Sequence, residues 1–400
     1  MKKLVIFLVS LLFVMKLGAQ DTPHFNTYWK NGLHVESDDS NFKFKMGGRI
    51  QFDVMFIKED DSLHTHFDGK NGFEIRRARL YTSGSFFRFI KYKLQVEFAP
   101  ARVVIKDAYL LFTRIPFVGN FQVGNFKQPF GMEMITSSKY MTNMERPLVN
   151  QFDHDRDLGV MLFNHHFHQR LAWYAGYFVP SNNLGKYIGN KYQITGRISA
   201  LPLYKTKNGY KVLNIDAAYS YHYMDNKDMF FRVKPEAHLA PGYLEVNVEG
   251  INNNHRGNAG MALVLGSFSL QSEYTFAIIH PSLISELNES KYYLDAYFIT
   301  VSWFITGEHK NFSKKKMAFD RVDPGKNLGK DGTGAFELSL RYSSIDFDDH
   351  DLQAGAMNDL TAGLNWYMNP AVRITFNYIY AKVVDLGHSN IFQMRFQVAF

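Results

Sequence analysis

The sequence predicts an all-β protein, a transmembrane antiparallel β-barrel of about sixteen strands. Three observations predict it. First, strict two-residue alternation recurs along the chain. KYKLQVEF from Lys91 sets Tyr92, Leu94, Val96 and Phe98 against Lys91, Lys93, Gln95 and Glu97. LNIDAAYSYHY from Leu213, AFELSLRY from Ala335 and VRITFNYIY from Val372 repeat the pattern. Second, beyond the first twenty residues no stretch approaches a transmembrane helix and none holds a 3.6-residue period. Third, Tyr219, Tyr221 and Tyr223, then Trp366, then Tyr378 and Tyr380 gather at strand ends, as the aromatic girdles of a membrane barrel do. Soluble sandwiches also contain alternating strands, but they more often hide such residues in mid-strand. In lipid every backbone group needs an internal partner, so a strand-built membrane protein closes into a barrel.

Residues 1–20, MKKLVIFLVSLLFVMKLGAQ, combine two lysines, an apolar run from Leu4 to Met15 and small residues at Gly18 and Ala19. This reads as a secretory signal cut near Ala19 or Gln20. A membrane anchor is the competing reading, but the run is shorter than the ~20 residues a spanning helix needs. Residues 21–400 then form one barrel domain. Removing Lys2, Lys3 and Lys16 leaves 42 basic against 38 acidic side chains, a balance that gives no reason to expect nucleic acid. The absence of cysteine excludes a disulfide framework, a thiol nucleophile and a cysteine metal site.

Strands are expected near 44–57, 73–83, 91–99, 103–112, 119–126, 158–163, 169–178, 191–199, 211–223, 259–265, 268–278, 293–304, 334–345, 359–367, 371–381 and 391–400. An even count puts both termini in the periplasm. SGSFFRFI, RIPFVGN and YMNP become short periplasmic turns, and 58–72, 127–157, 179–190, 224–258, 279–292, 346–358 and 382–390 become external loops. Residues 305–333 break the rule, being long and basic on the periplasmic side. FQMRFQVAF, residues 392–400, is expected to pair with the first strand, with Phe392, Met394, Phe396, Val398 and Phe400 toward lipid. Its terminal aromatic is expected to be read by barrel-assembly machinery.

VGNFKQPFGMEMITSSKYMTNMER, Val123 to Arg146, resembles the phosphate-selective porin O and P family of Gram-negative outer membranes. The matched positions are Gly124, Phe126, Lys127, Pro129, Phe130, Gly131, Glu133, Thr136, Ser137, Ser138, Glu145 and Arg146. FEIRRARL, IKDAYL, FITGE, GAFELSLRYS and LNWYMNP resemble the family too, in order along the chain. The resemblance implies an outer-membrane location and a sixteen-stranded barrel, usually trimeric. It also implies passage of anions through a pore narrowed by inward-folded loops, here the third external loop and the basic connection 305–333. The family's arginine ladder and lysine cluster do not transfer position by position, which leaves a general anion pore as the expectation and phosphate specificity as its narrower form.

Anion selection needs cations that replace water around an oxyanion, and arginine adds a planar two-pronged fork. Strand parity places Arg49, Arg77, Arg79, Lys91, Lys93, Arg197, Arg341, Arg373 and Arg395 on the lumen face. Asp53, Glu97, Asp107, Asp216, Glu273 and Glu337 share it, so preference for anions is expected, without strict exclusion of cations. Arg76 is expected on the opposite face. Within the third loop, Lys127, Lys139, Glu145, Arg146 and Arg156 are the constriction candidates. The bland alternative is internal stapling by Glu133, Glu145, Asp153, Asp155 and Asp157.

His165, His166 and His168, and the acidic runs KEDD (58–61) and DFDDHD (346–351), read as solvated charge, with no metal site expected. No GxSxG, HExxH or phosphate-cradling glycine loop occurs, so neither enzyme chemistry nor a cofactor is expected. The partners implied are outer-membrane lipid, small phosphate-like anions and two further copies of the chain. A second hypothesis is a surface receptor or adhesin acting through the external loops, above all Met224–Asn258.

Overall fold

Every one of the sixteen predicted segments is strand. The computed structural model describes residues 23–99, 103–152, 155–181, 185–207, 209–282, 285, 287–329 and 332–400. The expected signal, residues 1–20, and Asp153 lie outside the described residues.

An N-terminal hairpin, β1 (Phe25–Trp29) and β2 (Leu33–Ser37), leads into β3 (Phe42–Glu59), β4 (Gly72–Phe86), β5 (Ile90–Glu97), β6 (Val104–Ile115), β7 (Gly119–Phe126), β8 (Asp157–His166) and β9 (Leu171–Val179). Then come β10 (Tyr192–Lys205), β11 (Lys211–Val233), β12 (Leu244–Leu265), β13 (Phe268–Pro281) and β14 (Tyr292–Phe304). The small ribbon β15 (Phe312–Ser313) and β16 (Ala318–Phe319) precedes β17 (Ala335–Asp349), β18 (Leu352–Tyr367), β19 (Val372–Val383) and β20 (Gly387–Ala399). Among the described residues, β3–β14 and β17–β20 form a sixteen-stranded antiparallel ring, each strand bonded to its neighbours in sequence.

The ring closes where β20 pairs with β3, Gln393 opposite Met55 through to Ala399 opposite Arg49. Phe392, Phe396 and Val398 are exposed on the outer face there, while Gln393, Arg395, Gln397 and Ala399 are buried inside. The hairpin was not foreseen. Its β2 continues the ladder below the seam, pairing Leu33–Glu36 with Lys43–Met46 of β3.

The external loops are shorter than their composition suggests. The stretch 224–258, read as one surface loop, is the upper half of a tall β11–β12 hairpin with only residues 234–243 between its strands. Likewise 346–358 is mostly strand, with His350 and Asp351 between β17 and β18. The tyrosines therefore do not end their strands. They mark a belt on the outer face, with Tyr219, Tyr274, Tyr293, Tyr297, Tyr342, Tyr378 and Tyr380 exposed, above which the strands continue.

Above that belt the polarity of the wall inverts. In lipid the outer face is apolar, but beyond it the outer face meets water, so Glu245, Asn247 and Glu249 point outward and Phe231, Val233, Val246, Val248 and Phe347 point inward. The inward set packs around Leu148, Val149 and Phe152 of a single 3₁₀ turn, making an apolar core inside the barrel's upper end. KEDD is not merely solvated: Asp60 caps helix α1 (Asp61–Phe67), its Oδ1 accepting from Leu63 N at 2.9 Å, and its Oδ2 accepts from His388 N at 2.8 Å.

Leu340, 47 % exposed in mid-β17, faces outward, while its neighbour Arg341 is buried inside. Leu340→Lys is expected to cost ~2–4 kcal/mol of unfolding free energy by urea titration in lipid vesicles, the penalty for a lysine near the bilayer midplane. Loss of under half a kcal/mol would place this face away from lipid.

Candidate functional site

The third external loop, L3, runs from residue 127 to 156 and turns into the barrel. Among its described residues it contains one short helix, α2 (Met132–Ile135), the 3₁₀ turn at Leu148–Phe152, and otherwise irregular backbone whose carbonyls need donors away from bulk water. Inward side chains of five adjacent strands supply them. Gln51 Nε2 donates to Ser138 O at 3.1 Å, Gln397 Nε2 to Lys139 O at 3.2 Å and Arg373 Nη1 to Met141 O at 2.7 Å. Asn365 Nδ2 donates to Thr142 O at 2.8 Å, Arg395 Nη1 to Met144 O, and Arg341 Nη2 to Glu145 O at 3.0 Å. L3 is thus strung along β17–β20 and β3.

The expectation that Arg341 and Arg373 line the passage is corrected by this arrangement. Both face inward, as parity requires, but they lie beneath the loop at 3 % and 2 % exposure and hold it there.

Glu145 is the hub of the loop's opposite face. It accepts from Arg76 Nε at 2.8 Å and Nη2 at 3.0 Å, from both terminal nitrogens of Arg77 at 3.4 Å, and from Arg395 Nη2 at 2.6 Å. Burial alone would raise its carboxyl, but these guanidiniums hold it well below the usual carboxylate range. Arg395 also grips Asp53 with two bonds of 2.7 and 2.6 Å.

Arg76 was expected on the outer face. The ladder skips it: Gln51 pairs with Arg77 and Phe52 with Ile75, so Arg76 is the extra residue of a β-bulge and turns inward beside Arg77. One strand away Gln95 pairs with Asp107 and Val96 with Ile105, which makes Lys106 a second such residue.

Two further segments enter the lumen. The loop at 234–243 drops Glu236 onto Arg341, Ser343 (2.6 Å) and Thr361 (2.7 Å), and His238 Nδ1 lies 2.9 Å from Glu74 on β4. From the periplasmic side, the 305–333 connection docks through Arg197 Nη2 to Met317 O at 3.1 Å and Lys310 Nζ 3.7 Å from Glu337 Oε1.

What stays open is a cavity of about 980 Å³ between L3 and the wall β3–β9. Sixteen lysines and arginines line it against four carboxylates, Asp107, Glu145, Asp155 and Glu236. The foreseen residues Arg49, Arg77, Arg79, Lys91, Lys93, Lys127, Lys139, Glu145, Arg146 and Arg156 all reach it.

A sequence model of the phosphate-selective porin O and P family matches residues 44–400. The chain belongs to that family. It is an outer-membrane porin of a Gram-negative bacterium, a channel and not an enzyme. Porin O of Pseudomonas aeruginosa is 25 % identical over 90 % of this chain and 88 % of its own length. An uncharacterized protein of Caulobacter vibrioides is 25 % identical over 88 % of this chain and 70 % of its own. OmpT of Vibrio cholerae shares the fold at 11 % identity (TM-score 0.55, covering 90 % of this chain and 98 % of that one). The anion-selective porin from Comamonas acidovorans shares it at 12 % identity (TM-score 0.54, covering 90 % and 100 %).

The cations of the porin's cavity divide by partner. Stapling claims many: Arg79 pairs with Glu97, Lys93 and Arg156 with Asp107, and Arg156 also with Asp155 at 2.7 Å. Lys127 and Arg146 donate to L3's own carbonyls at Met134 and Thr136. Arg49 instead donates to the Ser138 hydroxyl at 2.6 Å. Among the described residues Lys45, Lys91 and Lys139 form no ion pair. Lys139 lies over the rings of Tyr81 (5.3 Å) and Tyr140 (5.5 Å). Burial, then the charges of Arg49, Arg321, Lys45 and Lys93, bring its ammonium down to about 6. Lys45, missed in the sequence, shares the inward parity of Arg49 four residues on and could have been found from it.

Arg395→Met removes the partner of Asp53, Glu145 and Met144 O at once. It is expected to lower stability in urea titration by ~3–5 kcal/mol, the usual cost of stranding a buried charge. A loss under 1 kcal/mol would mean that L3 is held elsewhere.

Proposed function

We propose that this porin is an anion-preferring diffusion channel for phosphate or similar oxyanions. The fourfold excess of cations over carboxylates around the cavity carries the reading. Down the lumen, Lys234 stands above Arg76, Arg77 and Arg79, with Lys93 and Lys139 deeper and Lys91, Lys315 and Lys316 toward the periplasm. Many weak sites in series let an ion enter without trapping it. The carboxylates that pair half the set argue for preference without absolute selectivity.

Residues 1–20 are taken as a cleaved signal, supported by Lys2, Lys3 and the apolar run behind them. The porin is taken to work as a trimer, as the resemblance implies; OmpT of Vibrio cholerae was solved in a trimer form.

In a planar bilayer across a KCl gradient the reversal potential should have the sign of chloride preference, and inorganic phosphate should block the chloride current. A cation-selective potential would end the proposal. Because the ammonium of Lys139 titrates near 6 from an ordinary value above 10, it is neutral at pH 8 and charged at pH 5. Anion preference should therefore rise as pH falls across that window, and Lys139→Met should flatten the rise. An unchanged slope in the variant would remove Lys139 from the passage.

A further inference from the structure

The lumen of a porin is expected to be polar. One strip of this cavity's wall is largely apolar. On β6–β9 the inward side chains facing it include Tyr109, Leu111, Phe126, Met161, Phe163 and Tyr174, with Thr113, Asn120 and Gln122 among them and the charged Lys106 and Asp107 next to Tyr109 on β6. These are ordered surfaces: Phe163 and Tyr174 stack at 5.5 Å and 20°, and Tyr109 meets Phe126 edge-on at 6.0 Å. Behind them Phe178 lies so close over Gly159 and Gly176 that a Cβ at either would stand 2.4 or 2.5 Å from its ring. The two glycines let an aromatic layer sit flat against the barrel wall.

The apolar strip adjoins the cationic one. Across the β5–β6 ladder Lys93 stands opposite Tyr109 and Lys91 opposite Leu111. A small inorganic oxyanion uses only the first strip and gains nothing from the second, yet exposing apolar surface to lumen water is unfavourable. A solute that contacts both is an anion with an apolar body. We infer that the anions this channel favours are organic, a phosphate or carboxylate group carried on an aromatic or aliphatic frame small enough for a 980 Å³ cavity. The inference rests on the anion-channel reading and names its substrate class. The charged group follows Lys91 and Lys93 while the frame slides along the aromatic wall.

Phenyl phosphate and inorganic phosphate test it, compared as blockers of chloride current through the full-length porin at alkaline pH, where both are dianions. Phenyl phosphate is expected to half-block at about one tenth the concentration of inorganic phosphate, from burial of its ring against the wall. In Phe163→Asn and, separately, Leu111→Ser, the ratio of the two half-block concentrations should fall toward one. Equal potency in the wild-type channel overturns the inference and leaves the anion channel standing. A ratio unmoved by both variants also overturns it. A cation-selective reversal potential removes both readings together.

Discussion

Loop backbone folded inside a barrel must find hydrogen-bond partners, and in this protein that requirement, read from the described residues of L3, decides what the walls around it do. Most of the described part of L3 is irregular backbone that neither forms a long helix nor joins the sheet. Its carbonyls are instead taken one by one by Gln51, Gln397, Arg373, Asn365, Arg395 and Arg341. Those strands are committed to holding the loop, so the passage is displaced to β3–β9. The asymmetry of the pore follows from that division of labour.

Charge is distributed by the same division. A guanidinium buried under the loop is strongly costly unless it is partnered, and here the partners are mainly carboxylates and carbonyls. Arg395 illustrates this, fully buried and bonded to Asp53, Glu145 and Met144 O. On the open side the lumen's water shares the cost, so cations such as Lys45 and Lys91 persist there without ion pairs among the described residues. The cation excess of the cavity is therefore greater than the excess of the whole chain.

The barrel was legible because period two survives in all sixteen segments, and its closing seam was legible in residues 392–400. Parity failed in two kinds of place, each for a physical reason. At Arg76 and Lys106 a bulge inserts one residue and aims two successive side chains inward, which alternation alone cannot signal. Above the tyrosine belt the solvent on the outer face changes from lipid to water, so alternation continues with its polarity exchanged, and strands such as Met229–Val233 looked like loop. The descent of the 234–243 loop had no local signal, since Arg341, Ser343 and Thr361, the partners of Glu236, lie more than a hundred residues away. Which cations line the passage and which anchor the loop depends on the path of L3, and parity is blind to it.

The claim on which the rest depends is that L3 lies fixed against β17–β20 while ions pass on its other side. Asn143 on the loop and Ser339 on β17 meet through their side-chain oxygens at 2.8 Å, and the chain has no native cysteine. Both positions can be changed to cysteine and joined with a short bifunctional thiol reagent in the assembled porin, with single-channel conductance read before and after. Efficient cross-linking with conductance unchanged is the predicted result. Failure to cross-link, or a cross-link that closes the channel, would contradict the account.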